Sequence, residues 1–154
     1  MKSVRTFPEK VAALDIGTNT ILLLIANVEG GRIHPLYETE TVVRLGEGLQ
    51  KNGILLKGAM DRGIHTLAQY LRRSQEMGVQ QIFAAGTSAL REAKNSQDFL
   101  TLAKEKLGLS IEVISGEEEA RLSFLAVAKD LQDNEKPILV VDVGGGSTEF
   151  ILGK

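Results

Sequence analysis

Three short apolar runs near the start of the chain predict three β-strands. They cover residues 11–16, 21–28 and 33–43, and they are rich in Ile, Leu and Val, as strands are. Residues 17–20 separate the first two runs and residues 29–31 precede the third, so both connections are short enough for hairpins. The pattern predicts an antiparallel meander.

Residues 45–58 contain four glycines and little periodicity, which indicates a loop. The chain then alternates helical and strand patterns, with glycines where helices should end. Ser115 and Glu118 predict a capping box, and Ala120, Phe124, Val127 and Leu131 an apolar stripe on the helix that follows. The predicted elements are a helix over 59–77, a strand over 81–85, a short helix over 87–93 capped by Thr87, a helix over 96–107, a strand over 111–114 and a helix from 115.

After a polar break at residues 132–137, two further strands are predicted over 138–143 and 148–152. A glycine turn at 144–147 joins them into a hairpin. The predicted order is β-β-β-α-β-α-β-α followed by a β-hairpin, which defines an α/β protein with right-handed crossovers.

Composition narrows the classes of function. The chain has 154 residues, a net charge of −2, two histidines and no cysteine. A disulfide, a thiolate metal site and a cysteine nucleophile are therefore excluded. The charge balance provides no global basic field, so we expect neither nucleic acid nor a membrane as a partner. Residues 1–10 lack the apolar stretch of a signal peptide, and the default expectation is a cytoplasmic protein.

One long-range repeat suggests a site. Residues 11–21 resemble residues 138–148, because in both an apolar strand ends in Asp-aliphatic-Gly before a turn of small residues. Glycine lets the backbone expose N–H groups to a phosphate, and an Asp at the strand end can hold Mg²⁺. A single copy is usually only a hairpin turn, but two matching copies favour a two-sided phosphate and metal site. Its candidate residues are Asp15, Gly17, Thr18 and Asn19 in the first copy, and Asp142, Gly144, Gly145, Gly146 and Ser147 in the second.

Residues 117–119 place three carboxylates in one helical turn, and their interaction with the helix dipole would by itself explain them. The functional interpretation is that Glu119, beyond the capping positions, faces the cleft as a general base. Arg91 follows a small-residue turn and could bind phosphate through two N–H groups, although a surface arginine on a capped helix explains it equally well.

Five stretches together resemble the exopolyphosphatase and guanosine pentaphosphate phosphatase family, Ppx/GppA. They are residues 13–20, 43–49, 86–91, 114–122 and 141–149. The resemblance implies a ribonuclease-H-like lobe of the actin-like, sugar-kinase and Hsp70 ATPase superfamily, and Mg²⁺-dependent hydrolysis of a terminal phosphoanhydride in polyphosphate or guanosine pentaphosphate. It implies that Glu119 is the general base, that Arg91 binds phosphate, and that Asp142 and Glu149 are metal-associated.

The same resemblance implies an N-terminal lobe over residues 1–131, and a linker with the opening hairpin of a second, missing lobe over residues 132–154. We therefore expect the isolated chain to be weakly active or inactive, and residues 138–154 to be mobile or paired with another chain. A homodimer through missing domains or the hairpin stays open. Alternative functions are a polyphosphate- or alarmone-binding module without turnover, and a kinase or ATPase of the same superfamily.

Overall fold

The structure, a computed structural model, describes residues 10–130 and 137–153, without the side chains of 129 and 130. The predictions made for residues 1–9, for Leu131 and for the domain boundary after it lie outside the described residues. Within the described ranges, no helix is both long enough and apolar enough to cross a membrane.

The main sheet has five strands in the order β3-β2-β1-β4-β5. The first three form the predicted antiparallel meander, while β4 pairs parallel with β1 and β5 pairs parallel with β4. β5 has two residues where the sequence predicted four. The strands are β1 (Lys10–Ile16), β2 (Thr20–Glu29), β3 (Arg32–Val42), β4 (Gln81–Gly86) and β5 (Glu112–Val113).

In residues 10–130 and 137–153, five helices connect and cover the strands. They are α1 (Leu49–Asn52), α2 (Lys57–Glu76), α3 (Ser88–Glu92), α4 (Ser96–Leu107) and α5 (Gly116–Asp130). The prediction of a loop over 45–58 was wrong in part, because α1 and the start of α2 lie there. Gly48 and Gly53 flank α1 in the left-handed conformation, with φ of 73° and 67°. Glycine adopts that conformation at low cost, so a single helical turn fits between them.

The two predicted helix caps are only partly confirmed. Thr87 precedes α3, but its side chain makes no capping hydrogen bond. The Ser115 hydroxyl does accept a hydrogen bond from the backbone N–H of Glu118 at 3.1 Å. The reciprocal half of the capping box is missing, because the Glu118 carboxylate accepts two hydrogen bonds from Arg121 instead.

The hydrophobic core lies on one face of the main sheet, where side chains alternate in and out as a strand requires. Leu14 and Ile16 of β1, and Leu23 of β2, are almost fully buried there. The helices supply the opposing side chains, including Leu67 of α2 and Phe99 of α4. On the opposite face Asp15 is solvent-accessible and Phe83 is 46% exposed. That face therefore forms the floor of an open cleft.

The terminal hairpin was predicted correctly and forms a separate two-stranded sheet of β6 (Ile138–Val143) and β7 (Thr148–Gly153). It packs against α5, where a Cβ at Gly153 would overlap the ring of Phe124. Its other face leaves Val143, Phe150 and Leu152 more than 70% exposed. The predicted stripe of α5 is only partly covered, because Val127 is 38% exposed.

Contact between α2 and α4 depends on a glycine. A Cβ at Gly63 would lie 2.9 Å from Cε2 of the fully buried Phe99. We predict that Gly63→Ala destabilises the fold by about 1–3 kcal/mol in urea unfolding, because overpacking outweighs the gain in helix propensity. Gly58→Ala on the same helix, whose Cβ meets nothing closer than 3.8 Å, should be neutral or stabilising. Stabilisation by both variants would contradict this packing.

Candidate active site

Three loops of the main sheet begin at the same edge, because three parallel strands end together. Ile16 of β1 pairs with Gly86 of β4, and Gly86 pairs with Val113 of β5. Backbone hydrogen bonds extend this alignment by one residue, from Thr87 N–H to the Ile16 carbonyl at 3.2 Å and from Ile114 N–H to the Gly86 carbonyl at 3.0 Å. Ligands of α/β sheets bind at this carboxyl edge.

The repeat in the sequence is also a repeat in backbone structure. In the β1–β2 hairpin the N–H of Gly17 donates to the Thr20 carbonyl at 2.9 Å, and in the β6–β7 hairpin the N–H of Gly144 donates to the Ser147 carbonyl at 2.9 Å. Each glycine follows its aspartate by two residues. The two candidate phosphate loops, residues 17–19 and 144–147, therefore have the same turn.

The two loops touch each other. A Cβ at Gly145 would lie 2.5 Å from the Asn19 amide nitrogen, and a Cβ at Gly146 would lie 2.6 Å from the hydroxyls of both Thr18 and Ser88. Only residues without a side chain fit at this distance, so the glycines are required for the close approach. The arrangement surrounds the second loop's backbone with polar side chains from the first loop and from α3.

Asp142 and Glu149 are cross-strand partners in the hairpin. Directly paired residues project from the same face of a sheet, so these two carboxylates are neighbours. Asp142 also accepts a hydrogen bond of 2.6 Å from the hydroxyl of Ser123 on α5.

Asp15 and Glu119 join Asp142 and Glu149 in one acidic group. Neighbouring protein covers part of the Asp15 carboxylate, while the rest faces the cleft. This partial burial raises its pKa, and the charge of Asp142 raises it further. Burial also raises the pKa of Glu119, with smaller upward contributions from Glu149 and Asp15.

Arg91 is bound to Glu119. Its Nη1 lies 3.1 Å from Oε2 of Glu119 and donates to the Ile114 carbonyl at 2.9 Å. Both side chains are mostly buried, at 28% and 17% exposed. This hydrogen bond opposes the effect of burial by lowering the pKa of Glu119, although the net shift is upward. Arg91 therefore orients the carboxylate, and its phosphate-binding role stays a prediction.

The loops separate two hollows. A cavity of about 910 Å³ between the open sheet face and α5 is lined by Asp15, Glu119 and Asp142. A second cavity of about 480 Å³, on the side of Thr18 and Gly146, contains neither Glu119 nor Asp142 in its lining. The structure thus brings the predicted residues to one place, with the carboxylates and the glycine turns facing different hollows.

Ser123 and Ser88 were not among the candidate residues. Ser123 stands four residues after Glu119, which puts both on one face of α5, and this spacing was a usable signal. Ser88 gave no local signal, because its proximity to Gly146 depends on how the hairpin sits against the sheet.

No group of three or more His, Asp or Glu side chains has the geometry of a preformed metal site within the described parts of the chain. The oxygen ligands of Asp142 and Glu149 nevertheless fit Mg²⁺, which commonly takes one or two protein carboxylates and completes its shell with water and substrate phosphates.

Comparison with known proteins agrees with this arrangement. A family model described as the Ppx/GppA phosphatase family matches residues 24–154. A guanosine-5'-triphosphate,3'-diphosphate pyrophosphatase from Aliivibrio fischeri (strain MJ11) is 40% identical over all of this chain, which spans 31% of that relative. The crystal structure of an exopolyphosphatase from Cytophaga hutchinsonii matches with 36% identity and a TM-score of 0.89, over 94% of this chain and 46% of that one. An Aquifex aeolicus family member matches with 37% identity and a TM-score of 0.83, over 94% and 47%.

The fold is the actin-like ATPase fold of these phosphatases. This chain belongs to the Ppx/GppA phosphatase family. It spans about a third of the curated relative and about half of the solved structures described above.

The raised pKa of Asp15 gives a prediction about stability. The pKa of Asp15 in the folded state lies above the ordinary value of 3.8. Between the unfolded and the folded pKa, the folded state therefore binds more protons than the unfolded state, and the free energy of unfolding falls as pH rises through this range. Asp15→Asn removes this loss. We expect the variant to be more stable than the wild type at pH 7 in urea unfolding, with the advantage gone near pH 3.5.

Asp61→Asn is the matched control, because it should show the opposite sign. A hydrogen bond from Lys57 lowers the pKa of Asp61. The ionised Asp61 carboxylate therefore stabilises the folded state at neutral pH, and this stabilisation is lost on acidification. If Asp15→Asn instead lowers stability at pH 7 relative to pH 3.5, the Asp15 carboxylate is not held in an unfavourable environment.

Proposed function

We propose that the protein hydrolyses the terminal phosphoanhydride bond of a phosphate chain, as an exopolyphosphatase or guanosine pentaphosphate phosphatase. The observation that supports this most is the position of Glu119. A mostly buried carboxylate with a raised pKa, fixed by Arg91, lies in the same cleft as Asp15 and Asp142. Membership of the Ppx/GppA phosphatase family supports the same reaction class.

Glu119 acts as the general base in this proposal. Its raised pKa makes it a better proton acceptor at neutral pH than an ordinary surface glutamate would be. It takes a proton from a water molecule as that water attacks the terminal phosphorus in line with the leaving phosphate oxygen. Arg91 holds the carboxylate in place, since it is itself anchored to the Ile114 carbonyl.

The two glycine turns stabilise the negative charge on the phosphoryl oxygens. Backbone N–H groups of residues 145–147, with the hydroxyl of Thr18 and the amide of Asn19 beside them, provide donors at fixed positions. Preorganised donors of this kind lower the barrier because they need not reorient during the reaction.

Asp142 and Glu149 are the residues that would hold Mg²⁺. Bound there, the ion would supply positive charge that neutralises the phosphate oxygens. Ser123 donates to Oδ2 of Asp142 and so fixes the orientation of this carboxylate.

Polyphosphate and guanosine pentaphosphate are both proposed substrates, because both present a terminal phosphoryl group. One similar protein is named as a guanosine-5'-triphosphate,3'-diphosphate pyrophosphatase and another as an exopolyphosphatase. A binding module without turnover is the alternative that the following experiment distinguishes.

We predict that Glu119→Gln lowers kcat for phosphate release at least about 100-fold in the protein expressed from its complete reading frame, because the water loses its proton acceptor. Glu117→Gln is the matched control. Glu117 lies in the same helical turn but is exposed and outside the linings of both hollows, so its change should leave kcat within about twofold. Phosphate release from polyphosphate and guanosine pentaphosphate in the presence of Mg²⁺ measures both.

Tight binding of either substrate by the wild-type protein without phosphate release would favour the binding module. Equal activity of Glu119→Gln and Glu117→Gln would refute Glu119 as the base.

The Ser123 hydrogen bond gives a separate prediction about the metal. In Ser123→Ala the Asp142 carboxylate loses its orienting donor, and we expect about a tenfold or greater rise in the Mg²⁺ concentration that gives half-maximal activity. Ser96→Ala, at the start of α4, is the control. An unchanged Mg²⁺ dependence in Ser123→Ala would show that the Ser123 hydrogen bond does not position Asp142 for the ion.

A further inference from the structure

Residues 43–48, which we name the Arg44 segment, are fastened to the first candidate phosphate loop. The backbone N–H groups of Val43 and Arg44 both donate to the Asn19 carbonyl at 2.8 Å. The N–H of Gly46 donates to the Thr18 carbonyl at 2.9 Å, and a Cβ at Gly46 would overlap the Thr18 side chain. The proposed function has so far given this segment no task.

Arg44 has an unfavourable backbone conformation. Its φ of +49° makes it the one non-glycine residue with positive φ in the described parts of the chain. The left-handed region is disfavoured for residues with a Cβ, and such outliers persist where surrounding structure enforces them. A side chain at this position therefore costs conformational free energy that a glycine would not.

Arg62 of α2 supplies the enforcing contacts. Its Nε donates to the Val43 carbonyl at 2.8 Å, and its Nη2 donates to the Arg44 carbonyl at 3.4 Å and to the Glu47 carboxylate at 2.7 Å. One guanidinium thus holds three acceptors of the Arg44 segment. Its own charge is balanced by Glu47.

The side chain of Arg44, in contrast, has no ion pair or hydrogen bond within residues 10–130 and 137–153. It is exposed and lines the smaller hollow, which also borders Thr18, Asn19, Gly145 and Gly146. A free guanidinium thus stands beside both glycine turns.

The remaining charges of this hollow leave it positive. Lys51 is a second cation in its lining. Of the two acids there, Glu47 is paired with Arg62, while Glu92 accepts a hydrogen bond from the Ser88 hydroxyl and keeps its charge. In the described part of the chain, two cations without a partner, Arg44 and Lys51, therefore face one uncompensated carboxylate.

We propose that Arg44 binds a non-terminal phosphoryl group of the substrate. This inference rests on the proposed function. The two glycine turns border the hollow of Arg44, while Asp15 and Asp142, which precede these turns, line the hollow of Glu119. A phosphate chain that runs along the turns with its end at Glu119 would therefore place its inner groups beside Arg44. A guanidinium can hold such a group through two N–H donors at once, and no residue among 10–130 and 137–153 occupies those donors.

The test uses Arg44→Gly in the protein expressed from its complete reading frame, with tripolyphosphate as substrate and Mg²⁺ present. Glycine tolerates φ of +49°, so this variant should unfold at the same or a higher temperature than the wild type. We expect KM to rise about 10- to 100-fold, because a charge-assisted hydrogen bond to the substrate is lost, while kcat stays within about threefold of the wild-type value. Arg44→Lys should give an intermediate KM, because it keeps a point charge but not the fork of donors.

Arg72→Ala is the control, since Arg72 is an exposed arginine of α2 outside the linings of both hollows. Its KM should stay at the wild-type value. A wild-type KM in Arg44→Gly overturns the inference, and so does a fall in kcat at unchanged KM.

Absence of phosphate release by the wild-type protein would instead refute the proposed function. Calorimetric titration with tripolyphosphate then decides about Arg44 separately. Binding at least tenfold weaker in Arg44→Gly than in the wild type supports the inference, and equal binding overturns it.

Discussion

Strand β1 is paired on both sides, and the position of the site depends on this. Its antiparallel partner β2 returns through the first glycine turn, while its parallel partner β4 must end where β1 ends. The register that aligns Ile16 with Gly86 therefore places the loops after both strands at one edge. Arg91 and Glu119 come from later parts of the chain, yet Glu119 lies near Asp15 and Arg91 contacts Glu119, because their loops leave from that edge.

Local sequence signals predicted what is local in this structure. The Asp-aliphatic-Gly repeat identified both turns, since glycine followed by small polar residues suits a tight connection between apolar strands. Apolar residues at helical spacing predicted α2, α4 and α5, because this spacing is also a property of the local sequence. It could not find α1, whose single turn is defined by the left-handed conformations of Gly48 and Gly53 rather than by an apolar stripe.

Local sequence patterns could not predict contacts between elements that are distant in the chain. The sequence places Thr18 and Gly146 far apart, and their approach depends on how α5 orients the hairpin. The same holds for Ser123, which becomes significant only when β6 brings Asp142 to it. The sequence indicated Arg91 as a cation that could bind phosphate. In the fold its side chain is mostly buried, donates to the Ile114 carbonyl and pairs with Glu119.

The two copies of the turn differ at one informative position. Opposite Asp15 the first hairpin has Leu22, whereas opposite Asp142 the second has Glu149. Like charges in directly opposed positions destabilise a strand pair. The second hairpin has such a pair where the first has Asp15 opposite an apolar residue. Exceptions of this kind to the usual cross-strand pairing are typical of functional sites. The same backbone turn therefore carries one carboxylate in the first copy and two in the second.

Helix α5 links the two sides of the cleft mechanically. Glu119 is bonded to Arg91 on the sheet side and Ser123, one turn later, to Asp142 on the hairpin side. A rotation of the hairpin about this helix would change the distance from Asp15 to Asp142 while the spacing of Glu119 and Ser123 stays fixed by the helix. The repulsion between the two aspartates opposes their approach, and a cation held by Asp142 and Glu149 would counteract that repulsion. Ion binding and closure of the cleft would then be thermodynamically coupled, each strengthening the other by the same factor.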